Sequence, residues 1–128
     1  MTEWLERADA LLSEPDPGEM PFLVSELIAA HSIAAIVGSY KVGKTWLLLE
    51  LAVSIATGRP ALERFAVPEP GPVIVVLEES GRSALHRRLD AIVRGREIDA
   101  GALADLHVAA NRRVRLGDGD WRARLLDA

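Results

Sequence analysis

Hydrophobic residues along this chain switch between helical and strand periods, and the switches predict a mixed α/β order of elements. Trp4, Leu5, Ala8, Leu11 and Leu12 recur at i, i+1, i+4, i+7 and i+8, with Glu3, Glu6, Arg7 and Asp9 on the other side. That spacing predicts an amphipathic helix whose apolar face docks on something, and Pro15-Asp16-Pro17-Gly18 ends it in a linker. Met20 to Val24 reads as a short edge strand, with Pro21 tolerated at its entry, and Ser25 to Ala30 reads as a helical turn. The short apolar run Ser32-Ile33-Ala34-Ala35-Ile36-Val37 suits a buried parallel strand.

Trp46 to Ala56 is too long for one strand, is rich in helix formers, and stops at Thr57-Gly58 with glycine in the C′ position. Only Glu50 and Ser54 interrupt its apolar surface, so this helix is expected between a sheet and other elements. A loop punctuated by Pro60, Pro68, Pro70 and Pro72 then leads to Val73-Ile74-Val75-Val76-Leu77, whose β-branched run predicts a fully buried strand. Ser80 is placed to N-cap a helix carrying Leu85, Leu89, Ile92 and Val93 on one stripe and ending at Arg94-Gly95. Further on, Leu106 to Ala110 is a strand candidate that ends at Asn111, and Trp121, Leu125 and Ala128 share a helix face.

Composition narrows the class. A chain of 128 residues that is 49% hydrophobic and 27% charged has enough apolar material for one core. The longest apolar stretch is broken at Glu50 and falls short of a bilayer span, and the acidic N-terminus lacks the pattern of a secretion signal, so a cytoplasmic location with no membrane partner is expected. With no cysteine, disulfides and thiolate metal sites are excluded, and His31, His86 and His107 lie far apart without ligand spacing. A net charge of −4 argues against coating nucleic acid nonspecifically and leaves room for a local basic patch.

The candidate chemistry begins at Gly38-Ser39-Tyr40-Lys41-Val42-Gly43-Lys44-Thr45, which satisfies G-x-x-x-x-G-K-[ST] at each fixed position. The pattern implies a nucleoside triphosphate ligand. Gly38 turns the chain out of the preceding strand, and Gly43 lets backbone N–H groups approach phosphate oxygens where a Cβ would intrude. The helix that follows directs its unpaired N–H groups and positive dipole end at the same place, with Trp46 in its first turn. Lys44 supplies a point charge to the β and γ phosphates, and the Thr45 hydroxyl is a Mg²⁺ ligand. In deviant Walker loops an extra lysine directly follows the first glycine; here Ser39 holds that place, so Lys41 reads as a solvated loop residue.

Glu78 and Glu79 follow the Val73–Leu77 run directly, where buried parallel strands deliver their ends to the ligand crevice. A carboxylate there can deprotonate an attacking water or hold a water of the Mg²⁺ shell. Equally, Glu78-Glu79-Ser80 can simply open the next helix, where acidic residues are favoured without any catalysis. Arg82, Arg87, Arg88, Arg94 and Arg96 cluster on and after that helix, as a solvated basic face or as a contact for a subunit or nucleic acid.

Taken together, these residues resemble the RecA/DnaB-like P-loop ATPases, most closely the plasmid RepA-type helicases and the AAA-type ATP-binding proteins related to them. The resemblance runs from about residue 4 to residue 94 and rests on Pro21-Phe22-Leu23-Val24, the loop GSYKVGKT, Ala56-Thr57-Gly58-Arg59-Pro60, and VIVVLEES followed by Leu85-His86-Arg87-Arg88-Leu89. It implies a RecA-like fold with a mainly parallel sheet flanked by helices, ATP and Mg²⁺ as ligands, a homo-oligomeric ring, and DNA as a partner in replication or remodelling. It also implies that Glu78 is the catalytic base beside Lys44, with Glu79 in a supporting role toward the metal.

The resemblance further implies a later strand ending in a Walker B aspartate, a sensor and an arginine finger, none of which is found before residue 128. Residues 1–19 are therefore expected to be a helix and linker, and 20–128 the N-terminal portion of an ATPase domain that is incomplete here. An alternative parse makes VIVVLEE itself the Walker B strand, with Glu78 in the aspartate's place. Two rival functions stay open: a nucleotide-binding module with little turnover, and a small-molecule kinase, for which the arginines of residues 82–96 would have to form a lid.

Overall fold

The computed structural model describes residues 4–128, so Glu3 on the polar face of the first helix lies outside the described residues. Helix α1 spans only Ala8–Leu12 and buries nothing, with Trp4 and Leu12 more than four-fifths exposed. The apolar stripe seen in the sequence has nothing to dock on among the described residues. Strand β1 (Phe22–Val24) follows the linker and pairs antiparallel with β2 (Ile28–Ala29). This hairpin replaces the helical turn expected over Ser25 to Ala30. Glu26, at φ 67°, reverses the chain, and Leu27 N–H donates to the Val24 carbonyl across the turn at 3.0 Å.

Helix α2 (Lys44–Thr57) is the element around which the rest is built. One of its faces places Leu49, Ala52 and Val53 in a core with Val75, Leu85, Ile92 and Ile98. Another sends Leu51 into a second core with Val24, Ala61 and Val67. At roughly 1.5–3 kcal/mol for each large aliphatic side chain buried, a helix shared by two clusters is anchored more firmly than any element touching one. Its two interruptions are satisfied rather than exposed. Ser54 is fully buried and accepts a hydrogen bond from Arg96, and Glu50 pairs with the same guanidinium at 3.0 Å.

Gly58 closes α2 in the left-handed region at φ 77°, its N–H donating to the Ser54 carbonyl at 2.8 Å. A Cβ at this position would also meet Pro70 at 3.2 Å. Gly58→Ala is therefore expected to lose about 1–2 kcal/mol, from the positive φ and the proline contact together. Chemical denaturation measures it, and an unchanged midpoint would mean the loop yields freely.

Strand β3 (Val73–Leu77), helix α3 (Gly81–Gly95), a 3₁₀ turn (Ala100–Leu103) and strand β4 (Leu106–Ala110) complete a parallel crossover. The register runs from Val73 opposite Leu106 to Leu77 opposite Ala110. Helix α4 (Gly119–Leu126) follows. Two details depart from expectation. Within β3 only Val75 is fully buried, and Ile74 is 40% exposed, because Val73, Val75 and Leu77 face the core with α2 and α3 while Ile74 lies on the opposite, less covered face of the strand. Ser80 does precede α3, but it sits at φ 66° with no side-chain cap bond, so the turn is made by backbone strain and the Gly81 N–H to Glu79 carbonyl bond at 2.8 Å.

The larger departure concerns Ser32 to Val37, which the apolar run marked as a buried strand. It forms no strand, and its side chains are exposed, Ile33 and Val37 almost completely. A strand exists only through a partner's backbone, and among the described residues none lies alongside this one. Ala34 to Ile36 instead line an apolar cleft of about 1030 Å³ shared with Leu48 and Leu51 of α2 and with Val73 to Val76 of β3. No helix among the described residues is long and apolar enough to cross a membrane.

Candidate functional site

The loop from Gly38 to Thr45 is shaped by two glycines with different jobs. A Cβ on Gly38 would fall 2.9 Å from Val42 Cγ1, so Gly38 lets the loop close on itself. Gly43 sits at the N-cap of α2 with φ 101°, a conformation that side chains resist, and nothing stands within 4 Å of where its Cβ would be. The cradle above the helix terminus is thus open. The first N–H groups of α2, from Lys44 onward, have no partner within the helix and point into that opening.

Lys44 is held over the loop by its own backbone. Its ammonium donates to the carbonyls of Gly38 at 2.7 Å and Ser39 at 2.6 Å, which uses two of its three protons and fixes the charge at the mouth of the cradle. Lys41 is built differently: it is exposed at φ 60°, and its ammonium lies 5.3 Å from the centre of the Tyr40 ring. That is a cation–π contact on the loop surface.

A cavity of about 320 Å³ brings the loop residues Tyr40, Lys41, Gly43, Lys44, Thr45 and Trp46 together with Glu79, Ser80 and Arg88. Gly38, Ser39 and Val42 shape the loop without lining this cavity, and Val42 is 62% exposed. The sequence marked Arg88 only as one of a basic cluster. A signal for it was available, since on a 3.6-residue helix Arg88 lies next to the stripe of Leu85 and Ile92.

Glu78 and Glu79 part company at the end of β3. Glu79 enters the loop cavity, while Glu78 lines the apolar cleft, which also reaches Lys44 and Thr45. The Glu78 carboxylate accepts two backbone hydrogen bonds, from Arg113 N–H at 3.0 Å and Val114 N–H at 3.0 Å. The segment after β4 thereby fixes its orientation, and half of its lone-pair sites remain for other donors. Asn111 N–H donates to the Leu77 carbonyl at 2.9 Å and brings that segment into position.

The arginines sort into distinct environments. Arg82 and Arg87 are exposed, and Arg94 pairs along the helix with Asp90 at 3.1 Å. Arg96 is almost buried: it bonds Glu50, Ser54 Oγ at 2.9 Å and the Pro60 carbonyl at 2.8 Å. For Arg96 a solvated face is therefore ruled out, and its role is to tie α3 to α2 and to the loop after it.

Among the described residues no three His, Cys, Asp or Glu side chains group to hold a metal by themselves. The oxygen donors of Thr45 and Glu79 in one cavity are nevertheless the hard, sparse set that suits a Mg²⁺ ion carried mainly by water and phosphate. A family model described as AAA domain matches residues 4–127, nearly the whole chain. No solved structure matches the chain.

Proposed function

This chain belongs to the AAA-domain family, one of ATPase-type nucleotide-binding domains, and on that premise we propose that it binds ATP with Mg²⁺ through the loop from Gly38 to Thr45. The observation that carries this reading is the Lys44 ammonium, pinned by two carbonyls at the open N-terminus of α2, with the Thr45 hydroxyl in the same cavity. A charge, a nest of N–H groups and a helix dipole converge there, and each favours a phosphate chain. Magnesium would be held by Thr45, with Glu79 acting through water, and would neutralise phosphate charge.

We place the chain in the RecA-like helicase or recombinase class of P-loop ATPases, working on DNA as a ring of identical subunits in the cytoplasm. Supporting this are the glutamates at the end of β3 and the parallel β3–α3–β4 crossover behind the loop. In that reading Glu78 accepts a proton from the attacking water, and the two amides that hold its carboxylate keep it aimed. A second reading, a module that binds nucleotide with little turnover, is favoured by one observation: β4 ends at Ala110 and is followed by Asn111, where a metal-holding carboxylate would be needed.

A thermal melt tests the binding. With Mg·ATP near 100 times Kd the protein should gain roughly 2.7 kcal/mol of stability, and Lys44→Ala should lose that gain. No shift, or an equal shift in the variant, would remove the site from consideration.

A further inference from the structure

Five arginines sit on or just after α3, and their surroundings are unequal. Arg94 and Arg96 each have a carboxylate partner, while Arg82 and Arg87 face solvent. Arg88 does neither. It is half-buried, takes part in no ion pair among the described residues, and lines the cavity of about 320 Å³ that contains Lys44 and Thr45. Successive helix positions are separated by about 100°, so Arg87 points away while Arg88 lies beside the buried Leu85 and Ile92. Arg88 thus brings to this cavity a guanidinium that no carboxylate neutralises, a planar donor fork suited to an anion.

We infer that Arg88 binds the phosphate chain of the nucleotide, from α3 and within the same chain, so that the site is a clamp between the loop and α3. This rests on the nucleotide-site reading above. The charges support it: Lys41, Lys44 and Arg88 line the cavity against the single carboxylate of Glu79, an excess of cations suited to a polyphosphate. The planar fork of arginine can hold two phosphate oxygens at once, whereas Lys44 acts as a point charge. Glu79 and Ser80 stand on the turn into α3, so a ligand held by Arg88 also fixes that turn against the loop.

Titration calorimetry with Mg·ATP on the wild-type chain and on Arg88→Ala, Arg88→Lys, Arg87→Ala and Lys44→Ala tests the inference. Arg88→Ala is expected to raise Kd by about 10-fold or more, Arg88→Lys by less, and Arg87→Ala to stay within about 2-fold because its charge lies outside the cavity. Melting temperatures of the free proteins should stay level for both arginine positions. Wild-type affinity in Arg88→Ala, or an equal loss in Arg87→Ala, would overturn the role of Arg88 while a weakened Lys44→Ala kept the site. A fall in melting temperature that accounts for the lost affinity would overturn it in favour of a structural role. If the wild-type chain itself took up no Mg·ATP, the nucleotide reading would fall first and this inference with it.

Discussion

Glu78→Gln is expected to lower ATP turnover by about 10²-fold or more while leaving Mg·ATP binding in place, measured in this chain or in a longer polypeptide containing it. The amide keeps the shape of the carboxylate and cannot accept the proton of an attacking water. A structural cost accompanies the change. Both oxygens of Glu78 accept backbone N–H groups, from Arg113 and Val114, each at 3.0 Å. Glutamine has one oxygen to accept and turns a second donor against the remaining N–H, so about 1 kcal/mol or more of stability should be lost with it. Melting curves taken beside the kinetics separate the two effects, because a mere loss of folded protein lowers binding and turnover together. Glu79→Gln, altering the carboxylate inside the loop cavity, should act less on turnover and more on the Mg²⁺ concentration needed to support it. Turnover lost in Glu79→Gln and kept in Glu78→Gln would exchange the two roles.

The split between these neighbours marks where the sequence stops being readable. Helix α2, its Gly58 terminus, the β3 run and the stripe of α3 are all local signals, and each stands where its periodicity and punctuation placed it. Ser32 to Val37 carried an equally clear local signal and forms no strand, because strand formation is decided by a neighbouring backbone and not by the run itself. Glu26 hid a hairpin turn in a non-glycine residue at φ 67°, which composition does not announce. The pattern around Lys44 singled out the loop residues, because the phosphate-loop motif fixes both residue type and spacing, and Glu79 stood out as an acid at a strand end. Their joining with Arg88 was not legible, because it depends on how α3 is rotated over the loop.

The burial of Arg96 had a clue that the pattern alone did not resolve. An acidic residue such as Glu50 within an otherwise apolar helix needs a partner once that helix is covered, as an unpaired buried charge is costly. Several arginines were available, and only the packing of α3 on α2 selects one of them.

Arg96→Ala is the substitution expected to cost the most stability, about 2–4 kcal/mol. The Arg96 and Glu50 side chains are 11% and 15% exposed and meet at 3.0 Å. Around them Ser54 Oγ and the Pro60 carbonyl accept from Arg96, while Glu50 accepts from Leu62 N–H at 3.0 Å. The Arg96 carbonyl in turn accepts from Arg59 at 3.0 Å, so one cluster ties α2, the end of α3 and the loop after Gly58. Alanine would strip all three partners from the guanidinium and leave Glu50 with a single backbone donor in a nearly closed site. Most of the loss comes from that stranded carboxylate, which leads to a sharper expectation. Glu50→Leu combined with Arg96→Met removes both charges and fills the space, and should be markedly more stable than Arg96→Ala alone. Denaturation midpoints for the single and double variants give the coupling energy, expected to exceed about 1 kcal/mol between residues in direct contact. Additive losses would mean that the two side chains are held independently and that the cluster does not act as a unit. Because Glu50, Ser54 and Arg96 lie outside the cavity that contains Lys44 and Thr45, the folded fraction of each variant should bind Mg·ATP with unchanged affinity.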